Sequence, residues 1–205
     1  MIVSNTHKFI LLKPRKVAGT SILYTFSQVC DSKNDIIGKI YNLEGLESPS
    51  ENTTPLSNHA YPFEIINTIS GHQKWDEYKK IVPIRNPWDI AVSAFFWCKK
   101  TGEFIGDNFS SFIRSSIAKD FLENNLNYYY FAGRLVPDYV IRYENLENDI
   151  KTTLSDLNIN IDVEIPKLKM GIRPEGEYRK YYNDNDIEYI TNIWKQYIED
   201  FGYEF

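Results

Sequence analysis

The sequence predicts an α/β fold, a single domain over residues 1–205 with a central parallel sheet flanked by helices. Three runs of strand length carry that expectation, residues 9–12, 80–85 and 138–143. Each is followed by turn or cap residues and then by a helical pattern, the alternation that builds a parallel sheet covered on both faces. Ligands of such sheets bind beyond the carboxyl ends of the strands. The three runs deliver Lys16, Arg85 and Tyr143 at or just past those ends.

Taken in order, the first strand leads through Lys13-Pro-Arg-Lys-Val-Ala-Gly-Thr-Ser21 into a helix predicted from Thr20 to about Cys30. The segment 31–58 is polar, and Gly38, Gly45, Pro49 and Pro55 break any long period, which predicts an irregular excursion. A helix is expected from His59 to Ser70, ended by Gly71, with Asn58 as cap, Pro62 in the first turn and Phe63, Ile66 and Ile69 or Ile65 at helical spacing. After the second strand, Asn86 and Pro87 supply an N-cap and an N1 proline for a helix reaching about Lys100. Another helix is predicted near Ser110, and residues 128–131 form its packed end or an apolar turn. The third strand precedes a helix over residues 146–156. The basic segment 167–182 reads as irregular, and a last helix over 184–198 aligns Ile187, Ile190, Trp194, Tyr197 and Phe201 on one stripe.

Composition narrows the function. With 23 basic against 28 acidic side chains, a net charge of -5 argues against nucleic acid as the main partner. Cys30 and Cys98 are too few for a disulfide framework, no apolar segment reads as a signal peptide, and none approaches a membrane span. A cytoplasmic protein without a membrane span is expected. No clustered His, Cys and carboxylate spacing suggests a metal.

Two motifs carry phosphate chemistry. A short glycine-containing loop between a buried strand and a helix start gathers backbone N–H groups around an anion, and Lys16, Thr20 and Ser21 add donors beside Gly19. The loop is not a Walker A sequence, whose lysine follows the second glycine, because Lys16 precedes Gly19 by three residues. In Arg85-Asn-Pro-Trp-Asp-Ile-Ala-Val-Ser93 a strand-end arginine and a serine in the first two turns of the next helix can hold one anion.

The order Lys16-Val-Ala-Gly-Thr-Ser21 resembles the 5′-phosphosulfate loop of the PAPS-dependent sulfotransferases. Arg85 and Ser93, eight residues apart around an Arg-Asn-Pro turn, resemble that family's 3′-phosphate motif. Arg142-Tyr-Glu-Asn-Leu-Glu-Asn-Asp149 is similar to its late strand and turn, and the C-terminal Phe-Gly-Tyr-Glu-Phe205 looks like that of bacterial and carbohydrate-type members. The resemblance implies a P-loop-NTPase-like sulfotransferase fold and metal-free transfer of a sulfuryl group from PAPS to an acceptor hydroxyl, a carbohydrate, with release of PAP. It also implies that Arg15, Lys16, Gly19, Thr20, Ser21, Arg85, Ser93 and Tyr143 line the nucleotide, with Arg173 a substitute for a missing basic tripeptide. Arg15 stands where the family has proline, so Lys13 and Lys16 are rivals for the loop cation, and spacing to Gly19 favours Lys16.

An acceptor proton needs a base, and the sequence has three histidines, His7, His59 and His72. His59, 26 residues before Arg85, is the expected base, because a helix N-terminus keeps an imidazole neutral, whereas His72 falls at the far end of the same helix. Two other readings share the strand-loop-helix cradle: a non-catalytic PAP or nucleotide-binding protein of the same fold, and a P-loop nucleotide kinase.

Overall fold

The structure, a computed structural model, describes residues 1–38, 56–69, 71–166, 172, 174 and 176–205. Among them the strands are β1 (Ile2–Ser4), β2 (Phe9–Leu11), β3 (Ile36–Ile37), β4 (Lys79–Ile84), β5 (Tyr130–Phe131), β6 (Arg134–Leu135) and β7 (Tyr139–Arg142). The α-helices are α1 (Gly19–Ser27), α2 (Pro62–Thr68), α3 (His72–Glu77), α4 (Pro87–Thr101), α5 (Phe109–Ile113), α6 (Leu146–Asp156), α7 (Asp184–Ile193) and α8 (Lys195–Phe201). The chain forms two compact units, one of Met1–Ile84 with Tyr128–Leu168, the other of Arg85–Asn127 with Lys169–Phe205.

The first unit holds a five-stranded sheet in the order β3-β1-β2-β4-β7. β2, β4 and β7 are parallel, as the three apolar runs predict, but β1 pairs antiparallel with both β2 and β3. The sheet is therefore mixed rather than parallel throughout. Four residues join β1 to β2, far fewer than a parallel crossover needs, so the pair has to be a hairpin. Asp35, fully buried, fastens this edge: its carboxylate accepts from Ser4 Oγ at 2.9 Å, Thr6 N–H at 2.9 Å and Asp31 N–H at 3.0 Å. These bonds pull part of the segment expected to be irregular into the sheet as β3.

β4 carries a proline in mid-sheet, which ordinarily argues against a central strand. Lys79 donates to the Lys8 carbonyl and Ile81 accepts from Leu12, so residues 79, 81 and 83 turn toward β2. β2 has ended before Pro83 is reached, so the missing N–H breaks no rung. The Pro83 carbonyl takes the Tyr129 hydroxyl instead, at 3.2 Å. α1 and α6 cover one sheet face, where Ile22, Leu23, Phe26, Ile150 and Leu154 pack against Ile2, Phe9, Leu11, Ile81 and Ile141.

The expected helix from His59 divides. Pro62 takes the N1 position and Tyr61 is the cap, so α2 starts three residues after His59. Gly71, at φ 93°, closes α2 as expected, its N–H reaching the Ile66 carbonyl at 3.1 Å, but it is also the N-cap of α3, which places the exposed His72 at a helix start. The dipole argument that ranks the two histidines thus fails for both.

In the second unit α4 is capped as its sequence predicts: Asn86 Oδ1 accepts from the Trp88 and Asp89 N–H groups, both at 3.1 Å, and Pro87 is N1. Gly102, at φ 77°, ends it. The last helix is interrupted at Trp194, which separates α7 from α8. The stripe persists across the break, with Ile190, Trp194, Tyr197 and Phe201 buried and Ile187 half-buried.

Candidate functional site

The loop after β2 belongs to the first unit and leads into α1. Leu12 adds one further rung, its N–H reaching the Ile81 carbonyl at 3.0 Å, before the chain turns away. Lys16 has φ 67° and Ala18 φ 58°, while Val17 between them and Gly19 after them lie outside the left-handed region. Alternation of hand along successive residues turns neighbouring N–H groups to one side, the nest geometry of phosphate-binding loops. An L-residue held left-handed costs about 1–2 kcal/mol. Ala18 is also the N-cap of α1 and has no side chain with which to cap it. The loop thus keeps a strained shape at a helix start that its own cap residue leaves unserved.

Lys13 lies closest to that helix start. It is 7% exposed, and a Cβ added to Gly19 would stand 2.7 Å from Lys13 Cγ and 3.3 Å from its Cε. Only glycine leaves room for that stem. Lys16 is half-buried within the turn itself, so the loop presents two lysines, with Arg15 between them also half-buried. Ser21 is buried and Thr20 half-buried in the first turn of α1.

His59 sits against this loop. Its Nδ1 is 2.7 Å from the Lys13 carbonyl; since a carbonyl only accepts, Nδ1 carries the proton and Nε2 holds the lone pair. The His59 N–H donates to Ser57 Oγ at 2.9 Å, and its carbonyl accepts from the Tyr128 hydroxyl at 2.5 Å. Burial first, then the positive charges of Lys13 and Arg15, lower the imidazole pKa to about 3 against the hydrogen bond to Lys13, which raises it. The ring is neutral at pH 7, as the sequence expectation has it. The cause is burial beside cations and not a helix dipole.

Tyr128 is fully buried, and burial also raises its phenol pKa, so it stays a donor. Its ring packs on Tyr61 with centroids 4.7 Å apart, and Tyr61 stacks on Phe63 at 6.1 Å and 14°. The sequence reading misses Tyr128 as a support of His59. No local signal could reveal it, because the two are 69 residues apart in the chain.

Tyr143 follows β7 at the carboxyl end of the parallel strands, heads a 3-10 turn and is 39% exposed. Asp149 fixes that turn, accepting the Arg142 N–H and the Asn145 side-chain amide, each at 2.7 Å. Arg85 and Ser93 belong to the second unit. Arg85 is 5% exposed, and its Nε and Nη2 both reach Asp89 Oδ2, at 2.8 and 2.6 Å. Tyr197 accepts the Arg85 N–H at 3.1 Å and donates to its carbonyl at 3.0 Å, pinning the backbone. Ser93 is half-buried on α4. Arg173 lies outside the described residues. His7 is in the β1–β2 turn, its Nε2 donating to the Val29 carbonyl at 2.9 Å, far from the strand ends that carry the loop.

No helix among the described residues is long and apolar enough to cross a membrane, and no group of three or more His, Cys, Asp or Glu among them could hold a metal ion. No family model matches the chain. No solved structure matches it either. The chain is similar to an uncharacterized protein of Archaeoglobus fulgidus, 23% identical over 124 residues that span 58% of this chain and 98% of the relative.

Proposed function

We propose that the chain is a PAPS-dependent sulfotransferase that transfers a sulfuryl group to a carbohydrate hydroxyl by in-line displacement. The observation that supports the proposal is the pair of left-handed residues, Lys16 and Ala18, in a loop whose sequence order resembles the 5′-phosphosulfate loop, a backbone conformation that anion nests use. The donor set suits a doubly charged phosphosulfate: loop amides, the first turn of α1 with Thr20 and Ser21, and the lysines at 13 and 16. PAPS brings an activated sulfuryl group on a phosphate leaving group.

The chain's own residues then have distinct tasks. Lys16, with Lys13 as its rival, stabilises charge that builds on the departing phosphate oxygen. Nε2 of His59 accepts the acceptor's proton as the new O–S bond forms and the S–O bond to phosphate breaks. A pKa near 3 makes His59 a weak base in the free protein. An anion in the adjacent loop offsets the Lys13 and Arg15 charges and raises it, so the base gains strength when the donor is bound. Tyr143 borders the nucleotide from the end of β7, while Arg85, Ser93 and Arg173 are the residues for the 3′-phosphate, and the protein works in the cytoplasm.

Calorimetric titration with PAP in the presence of a chelator tests the proposal. Saturable metal-free binding is expected, with ATP and Mg²⁺ binding much more weakly. Absence of PAP binding at millimolar concentration overturns it, and binding without PAPS turnover on any acceptor reduces it to a nucleotide-binding protein.

A further inference from the structure

We infer that Phe63 and Tyr61 form the acceptor platform of this site, an aromatic surface on which one face of a sugar ring stacks while a hydroxyl turns toward His59. The inference rests on the sulfotransferase reading and adds where the acceptor sits. Phe63 is 53% exposed, in contrast to the other apolar side chains of α2, Ile65 and Ile66, which are buried. An exposed phenylalanine alone signifies little. This one is the outer ring of a stack, lying nearly parallel to Tyr61, which in turn rests on the fully buried Tyr128.

The stack is fixed at every level. The Tyr61 N–H donates to Glu64 Oε2 at 2.7 Å, Pro62 sets the backbone at the start of α2, and the Tyr128 hydroxyl is held on the His59 carbonyl. The group that supports the stack therefore also positions the proposed base. Phe63 is four positions after His59, at most about 14 Å of chain, so platform and imidazole lie within the span of a short oligosaccharide. A platform held in this way loses little entropy on binding.

An open ring face also selects the chemistry. A planar phenol or steroid binds by enclosure in a pocket that covers most of its surface, and a ring half in water encloses nothing. A pyranose needs one apolar C–H face covered and its hydroxyl rim left in water, which a single exposed aromatic face provides through its negative quadrupole.

The test uses the full chain with Phe63→Ala and Phe63→Trp. Neutral and uronate-containing tetrasaccharides, with p-nitrophenol as the planar competitor, are titrated in the presence of PAP and followed by saturation-transfer NMR, and PAP affinity is measured separately. Expected are binding of at least one tetrasaccharide with its ring C–H protons most strongly saturated, a loss of about five- to tenfold in Phe63→Ala, retention in Phe63→Trp, and PAP affinity unchanged in both. The platform is overturned if no tetrasaccharide binds, if Phe63→Ala binds as well as the parent, or if p-nitrophenol binds and the sugars do not. Loss of PAP binding in the parent chain with sugar binding intact strikes the sulfotransferase reading and not the platform.

Discussion

The two cationic motifs of this chain are built in opposite ways. Around residues 13–21 the backbone is strained, Lys16 and Ala18 being left-handed, and burial together with the charges of Lys13, Arg15 and the N-terminal ammonium acts on a neutral histidine, with no carboxylate among the causes that set its pKa. Around Arg85 the backbone is tied to Tyr197, and the guanidinium meets the carboxylate of Asp89, one helical turn ahead, through Nε and Nη2. The first arrangement gathers positive charge beside a neutral imidazole and holds a costly shape. The second balances its charge internally. An arginine that already has a buried carboxylate serves the fold whether or not it also meets a phosphate, whereas strained backbone at a loop is the kind of feature that clusters at ligand sites.

The largest expected effect breaks the second motif. Arg85→Ala leaves Asp89 buried without its partner and should cost about 3–5 kcal/mol of stability, read as a lowered urea midpoint. The pair Arg85→Met with Asp89→Leu should recover most of that loss. If Arg85→Ala unfolds at the parent midpoint, the ion pair is not structural and the contrast between the motifs fails.

A second effect, absent at neutral pH and confined to acid, sharpens the first motif. His59 has a folded pKa of about 3 against about 6.5 unfolded. Between these values the unfolded chain binds more protons, so stability is fully present above about pH 6.5 and is lost as pH falls toward 3, at up to about 1.4 kcal/mol per pH unit. Denaturation series at several pH values on the parent and on His59→Gln should show this acid slope flattened in the variant. Equal slopes would mean that His59 is not held neutral by the loop.

What the sequence made legible follows from range. β2, β4 and β7 are contiguous apolar runs, and the Asn86 cap with its N1 proline is written within four residues, so each could be read locally. α6 agrees with its expected span over residues 146–156 for the same reason. The β1 edge escaped because three residues are too few for a period and because its anchor, Asp35, lies 31 residues from Ser4. Gly71 was read as the end of a helix, which it is, but the start of α3 directly after it was missed, because a glycine ends helices more often than it starts them.

The candidate site divides the same way. Lys16, Gly19, Thr20 and Ser21 were marked by a local motif, yet the left-handed conformation fell on lysine and alanine, residues that give no sign of it in sequence. His59, expected as the base because of a helix dipole, stands beside the loop, but the structure does not provide that dipole. Its true partners, the Lys13 carbonyl and the Tyr128 hydroxyl, are 46 and 69 residues away. Contacts over such distances are set by the packing of the unit and not by any pattern along the chain.

The central claim is that the loop and His59 act as one anion-dependent site, and the imidazole itself reports on it. NMR titration of the His59 ring, assigned by comparison with His59→Gln, should be run on the free protein and with saturating PAP. The account predicts a pKa near 3 in the free protein and a rise of about 1–3 units with PAP bound, as the anion offsets the charges of Lys13 and Arg15. An imidazole whose pKa is the same with and without PAP, at a concentration where binding is complete, would contradict it.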